Sequence, residues 1–402
     1  MAFQSSISVV KYSLNDNIEQ PRLVEVLVPL PSQGHMGQLL HLSHLISSYN
    51  IPVHFVGSST HNHQAKTRLH GWVHHDDNDQ IHIHDLQLPT IYPTSPSNID
   101  STMPFLTDHL QHLLEASTVH LREPVYHLLQ EPSKKFTIPQ KFKPFQLNNI
   151  ITPGSECCHN NLPTTELFEG CITKEMWDFA VNQVNLLGFE LGWLYNSTRV
   201  IEKTYISLLE SLKTDMKHFA IGPLHPMVRA KGFESKHQCL EWLDKQGKNS
   251  VIYASFGSTT SLTQDQIHEL ANGLDLSGQK FIWVLRKADD PNDVYAKDNK
   301  TLEPQLPQGD WTPQLEILAH TSVGGFMSHC GWNSCMESLS MVVPIAAWPM
   351  HSNQLRNAYL VTDVLRVGVV VRDWAHRSEL VTSNLIENVV KSLMVSNEGK
   401  SR

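Results

Sequence analysis

The residues able to do chemistry in this chain gather in two places. His35 follows Gln33-Gly34 just beyond the apolar run Leu23–Val28. An imidazole with an ordinary pKa of ~6.5 is suited to take up a proton near neutrality. The second place is the stretch from Trp311 to Gln354. There Trp311 offers an aromatic face for stacking, and Gln314 sits one turn further on. His329 ends a strand-like run, where its ring can donate to an anion. Gly331-Trp332-Asn333-Ser334 opens the next helix, and the free backbone N–H groups of a helix start make an anion site. Asn333 and Glu337, at i and i+4, project along one face of that helix. Ser258 lies in the turn after a separate strand, within reach of the same anion from the opposite side. Helix dipole, amides and His329 together can offset the charge of a departing anion without a metal.

Those residues need elements to hold them. Leu23–Val28 reads as a buried strand, Pro29–His35 as a turn, and Leu39, Leu42 and Ile46 as the apolar stripe of a helix. Ile51–Val56 closes this βαβ unit. The pattern recurs with the strand Val251–Phe256, the turn Gly257–Thr260 and a helix with Ile267, Leu270 and Leu274 on one side. Thr263 and Gln266 fit a capping box at its start. Phe281–Leu285 and Val323–Ser328 are further strands. The expectation is an α/β protein of two doubly wound, Rossmann-like domains facing an interdomain cleft, with ligands at the carboxyl ends of the strands. The boundary falls near Ile221–Pro226, giving domains 1–224 and 225–402. The stretches 130–165 and 287–310 show no periodicity.

Composition narrows the class. With 402 residues, two domains are expected. Hydrophobic residues at 40% and charged residues at 18% indicate a globular protein. A net charge of −9 argues against nucleic acid as a partner. Six cysteines are too sparse for a disulfide scaffold. The opening Met1–Ser6 lacks a basic region followed by an apolar core, and no apolar run reaches the ~18 residues that span a bilayer. The expectation is a cytoplasmic monomer with no membrane partner. His82 and His84 would share one strand face as a metal pair, but no third ligand has fixed spacing, so no metal is expected. Asp76–Asp79 and Asp289–Asp293 read as polar turns, and Cys157-Cys158 as a buried thiol pair.

The stretch from Trp311 to Gln354 closely resembles the signature box of plant family-1 glycosyltransferases, which use UDP-activated sugars on small acceptors. Leu39–Ser43, Asn196–Arg199, Cys239–Gln246, Pro349–Ser352 and Leu360–Leu365 resemble the zeatin O-glucosyltransferase group within it. The resemblance implies a GT-B fold, UDP-glucose as co-substrate with no other cofactor, and the side-chain hydroxyl of a cytokinin such as zeatin as acceptor. It makes His35 the general base of an inverting transfer. Ser258, Trp311, Thr312, Gln314, His329, Trp332, Asn333, Ser334, Glu337, Asn353 and Gln354 become the UDP-sugar site. Trp311 would stack on uracil and Glu337 would accept from ribose hydroxyls. Gln354 accompanies glucose in this family.

The sequence departs from the family pattern at several points. An Asp is expected on an N-terminal strand behind the catalytic His, yet none occurs between Asp108 and Asp178. Leu306–Asp310 runs directly into Trp311, where a further turn and strand are expected. Closing helices are expected beyond Arg402, and Asn353 stands where Asp or Glu grips sugar hydroxyls. These departures define an alternative: a catalytically impaired relative that at most binds UDP-sugar.

Overall fold

The protein is described by a computed structural model covering residues 5–11, 23–29, 33–59, 62–63, 81–86, 144–148, 192–212, 214, 216–225, 237–257, 260, 262–285, 312–351 and 353–396. The chain separates into two compact units.

The first unit is built on a seven-stranded sheet. Its strands are β1 (Ser5–Lys11), β2 (Leu23–Val28), β3 (Val53–Ser58), β4 (Ile81–Leu86), β5 (Pro144–Asn148), β6 (Gly192–Tyr195) and β7 (Lys217–Ala220). Helices α1 (Gln33–Ser47) and α2 (Arg199–Leu212) belong to this unit. The strand order is β4-β3-β2-β1-β5-β6-β7. Leu39 and Leu42 of α1 are buried with Leu27, Val53 and Phe55, and Ile46 packs at their margin, as the helical stripe predicts. All neighbours pair in parallel except β1, which is antiparallel to both β2 and β5. The Ser-Ser-Ile-Ser start of β1 is polar and carries no strand-like pattern of its own. β5 lies within the stretch 130–165, which shows no periodicity.

The second unit carries an all-parallel sheet of β8 (Val251–Ser255), β9 (Lys280–Trp283), β10 (Val323–Ser328), β11 (Ile345–Ala347) and β12 (Gly368–Val370). Its order is β12-β11-β10-β8-β9. The helices are α3 (Gln238–Leu243), α4 (Gln264–Leu276), α5 (Gln314–Leu318), α6 (Trp332–Ser340), α7 (Gln354–Tyr359) and α8 (Ser383–Met394). Strand alternation divides the core in two. Ile252 and Ala254 face α4 and α8 through Leu270, Leu274, Ile386 and Val390. Val251 and Tyr253 face α3 and α5 through Leu240, Leu243, Ile317 and Leu318.

Thr263 caps α4, its hydroxyl accepting from the Gln266 N–H. The box is only half made. The Gln266 carboxamide instead spans to Val381, donating to its carbonyl and accepting from its N–H, both at 2.9 Å. Tertiary pairing thus takes the group that a local cap would use. Among the described residues, no helix is long and apolar enough to cross a membrane.

Candidate active site

In a doubly wound sheet, ligands sit where the strand order reverses. In the second sheet this is between β8 and β10, whose carboxyl ends lie side by side. His329 follows β10 directly and is buried. Its imidazole lies against Gly257, after β8, and Gly331, after β10, so closely that a Cβ at either position would overlap the ring. Gly257 has φ +75°, a conformation that disfavours any side chain. Two glycines therefore let one imidazole bridge the loops of adjacent strands.

Gly331 then starts α6 with no side-chain cap on the helix. The first turn of α6 thus begins directly after the His329 loop. Trp332 and Ser334 are buried in the first turn. The Oδ1 atom of Asn333 and the Nδ1 atom of His329 are buried polar atoms with no hydrogen bond inside the protein, while other atoms of both residues are engaged.

One turn along α6, Glu337 meets the start of α5. The Gln314 carboxamide donates to Glu337 Oε2 at 2.7 Å and to Ser334 Oγ at 3.1 Å. Its Oε1 accepts from the Tyr253 hydroxyl at 3.4 Å, and that hydroxyl lies 3.3 Å from Thr312 Oγ1. Burial pushes the Glu337 carboxyl up to about 7, partly offset by the bond from Gln314. Such a carboxylate gains from any ligand hydroxyl that donates to it. Tyr253 is a part of this group that sequence reasoning missed. Its signal was the alternation of β8, which turns Tyr253 to the α5 side.

Beyond β11 the chain runs through Trp348–His351 to α7. Asn353 is the N-cap residue of α7, although its side chain caps nothing. Gln354 is buried, and its Oε1 accepts from the N–H groups of Met350 and His351. The structure therefore places Thr312, Gln314, Ser334 and Glu337 in one network, His329 at the strand crossover and Gln354 in the next turn. Ser258 and Trp311 lie outside the described residues.

In the first unit, His35 is half-buried in the first turn of α1, after the carboxyl end of β2. Asn196–Arg199 serves architecture rather than chemistry. Asn196 Oδ1 accepts from Leu224 N at 2.9 Å, and Ser197 Oγ donates to the buried Glu202 at 2.5 Å. Burial raises that carboxyl to about 7. His82 and His84 do share one face of β4, and His54 of β3 joins them. His54 Nδ1 lies 2.8 Å from His84 Nε2, and burial lowers His54 to about 4. Among the described residues, no group of three or more His, Cys, Asp or Glu is arranged to hold a metal ion. Asp76–Asp79, Asp289–Asp293 and Cys157-Cys158 lie outside the described residues.

A helix start, a bridging imidazole and a buried carboxyl group lie at one strand crossover. Comparisons with known proteins identify the family. The chain is 42% identical over 435 residues to zeatin O-glucosyltransferase of Phaseolus lunatus, covering 96% of this chain and 92% of that protein. It is 41% identical to zeatin O-xylosyltransferase of Phaseolus vulgaris, with coverage of 96% and 92%. Two solved plant structures share the fold at 22% identity. One is Phytolacca americana UGT2 complexed with UDP-2fluoro-glucose and pterostilbene, with TM-score 0.66 and coverage of 94% of this chain and 91% of that one. The other is Glycyrrhiza uralensis UGT73P12 complexed with glycyrrhetinic acid 3-O-monoglucuronide, with TM-score 0.72 and coverage of 94% and 88%. The family model "Glycosyltransferase, N-terminal domain" matches residues 22–138 and 145–226, and "UDP-glucoronosyl and UDP-glucosyl transferase" matches residues 221–400. The chain therefore has the GT-B fold and belongs to the UDP-dependent glycosyltransferase family.

Proposed function

We propose that the chain is an inverting glucosyltransferase that moves glucose from UDP-glucose to the side-chain hydroxyl of a zeatin-type cytokinin, as a cytoplasmic monomer without metal. Residues 1–224 would hold the acceptor and residues 225–402 the donor. The observation that carries this reading is the crossover between β8 and β10, where His329, the start of α6 and the Gln314–Glu337 pair converge. Similarity to zeatin O-glucosyltransferase and zeatin O-xylosyltransferase along nearly the whole chain supports the acceptor class.

In this scheme His35 removes the acceptor hydroxyl proton as the oxygen bonds to the anomeric carbon. The bond from that carbon to the diphosphate oxygen breaks, and its electron pair leaves with UDP. The configuration inverts through an oxocarbenium-like state. The α6 amides and His329 meet the charge growing on the diphosphate. Trp311 and Ser258 belong to the same donor site.

Purified protein given UDP-glucose and trans- or cis-zeatin is expected to release UDP, and His35→Ala to reduce that rate by at least about 10²-fold, the lower range for a lost general base. Equal rates for the two proteins would refute the role of His35. A second reading, a non-catalytic relative, is favoured by the lack of Asp between positions 108 and 178. It requires a UDP-dependent rise in melting temperature with no turnover by the wild type.

A further inference from the structure

We infer that His351 is a positioning residue for the donor sugar, acting through Gln354 and Thr260; the inference rests on the donor reading above and refines it. Gln354 Oε1 accepts from Met350 N at 2.8 Å and from His351 N at 3.0 Å. Both lone-pair directions of that oxygen are used, so the carboxamide has one orientation and its NH2 group must point the other way. That nitrogen lies 3.4 Å from His351 Nε2, and Thr260 Oγ1 lies 3.4 Å from the same ring atom.

An NH2 group facing a ring nitrogen fixes the tautomer. His351 must accept at Nε2, with its proton on Nδ1, because a protonated Nε2 would oppose donor to donor. Burial agrees: His351 is 6% exposed and is held neutral down to about 4. The ring thereby anchors one amide hydrogen of Gln354 and leaves the other to donate to a sugar hydroxyl oxygen. The Thr260 hydroxyl, in the loop after β8, shares the single Nε2 lone pair with that amide hydrogen, so one ring atom joins the turn after β11 to Thr260. In the sheet order, that tie spans across β10.

The test uses the full chain with His351→Leu, which removes the acceptor, and His351→Gln, whose side-chain oxygen can restore it. UDP-glucose and UDP serve as probes, and zeatin as acceptor. His351→Leu is expected to lower kcat/KM for UDP-glucose about tenfold, the scale of one buried hydrogen bond, with the Kd of UDP changed less than about twofold. His351→Gln should recover most of the loss. Wild-type kinetics in His351→Leu would overturn the inference, as would an equal loss of UDP affinity, which marks a general structural role. Should His351→Leu fail to fold, Thr260→Val reads the same tie, and it must show the same split between UDP-glucose and UDP. If the wild type turns nothing over, the proposed function fails, while the Kd ratio of UDP-glucose to UDP in wild type and variant still decides the role of His351.

Discussion

Both sheets reverse their winding once, and the two reversal points are built differently. In the second unit, β8 and β10 are parallel neighbours. Their loops meet over two glycines and one imidazole. In the first unit, the reversal falls between β2 and β5, and β1 lies between them running the opposite way. Ser6 pairs with Val28 and Ser5 with Leu147, so β1 begins beside the carboxyl ends of β2 and β5. The second unit thus joins the loops of two directly paired strands at its reversal. The other unit depends on a strand drawn from the start of the chain, next to the segment that carries His35.

The largest test of this contrast removes residues 1–11. β1 holds six register positions against β2 and four against β5, and lies between them in the sheet. Hydrogen bonds contribute about 1 kcal/mol each and a domain holds only about 5–15 kcal/mol. The first unit should therefore lose its cooperative unfolding transition in calorimetry, while UDP still shifts the melting of the second. A deletion variant with both transitions intact would show β1 to be dispensable.

A smaller effect is expected within the donor crossover. Gly257→Ala places a methyl group on the His329 ring and forces a left-handed backbone on alanine, at a cost of about 1–2 kcal/mol. UDP affinity should fall about tenfold by calorimetric titration, with turnover following it. An unchanged Kd would mean that His329 does not meet the diphosphate.

The smallest effect is a pH dependence. The Glu337 carboxyl is raised to about 7, so the folded protein holds that proton more tightly than the unfolded chain does. Ionising it costs stability as pH rises from its ordinary value through 7. A ligand donating to the carboxylate needs the ionised form, so UDP affinity should increase about tenfold from pH 6 to pH 8. Glu337→Gln should flatten that slope. A slope that survives the substitution would assign it to another group.

The sequence was most informative where neighbours in the chain are neighbours in space. The strand Val323–Ser328 matches the structure residue for residue, and the helix expected from Gly331 starts at Trp332 with Gly331 as its N-cap. The Gln314–Glu337 pair needs only two short elements to meet. β1 and β5 were not legible, because a strand in mid-sheet is defined by partners far away and their own patterns are short and mixed. The second half of the capping box misled for a related reason: Gln266 pairs with Val381, 115 positions on. His351 was visible as part of a resemblance, but its partner Thr260 is 91 positions earlier.

The placement of β1 also governs how the first unit is assembled on the ribosome. β1 and β2 emerge early and can pair as a hairpin-like ribbon, but the other edge of β1 has no partner until Pro144–Asn148 is made. Through that interval a nascent chain presents an uncovered strand edge, the feature that most readily recruits a second chain. Its yield on expression should respond to chaperone supply and growth temperature more than that of a sheet completed in sequence order.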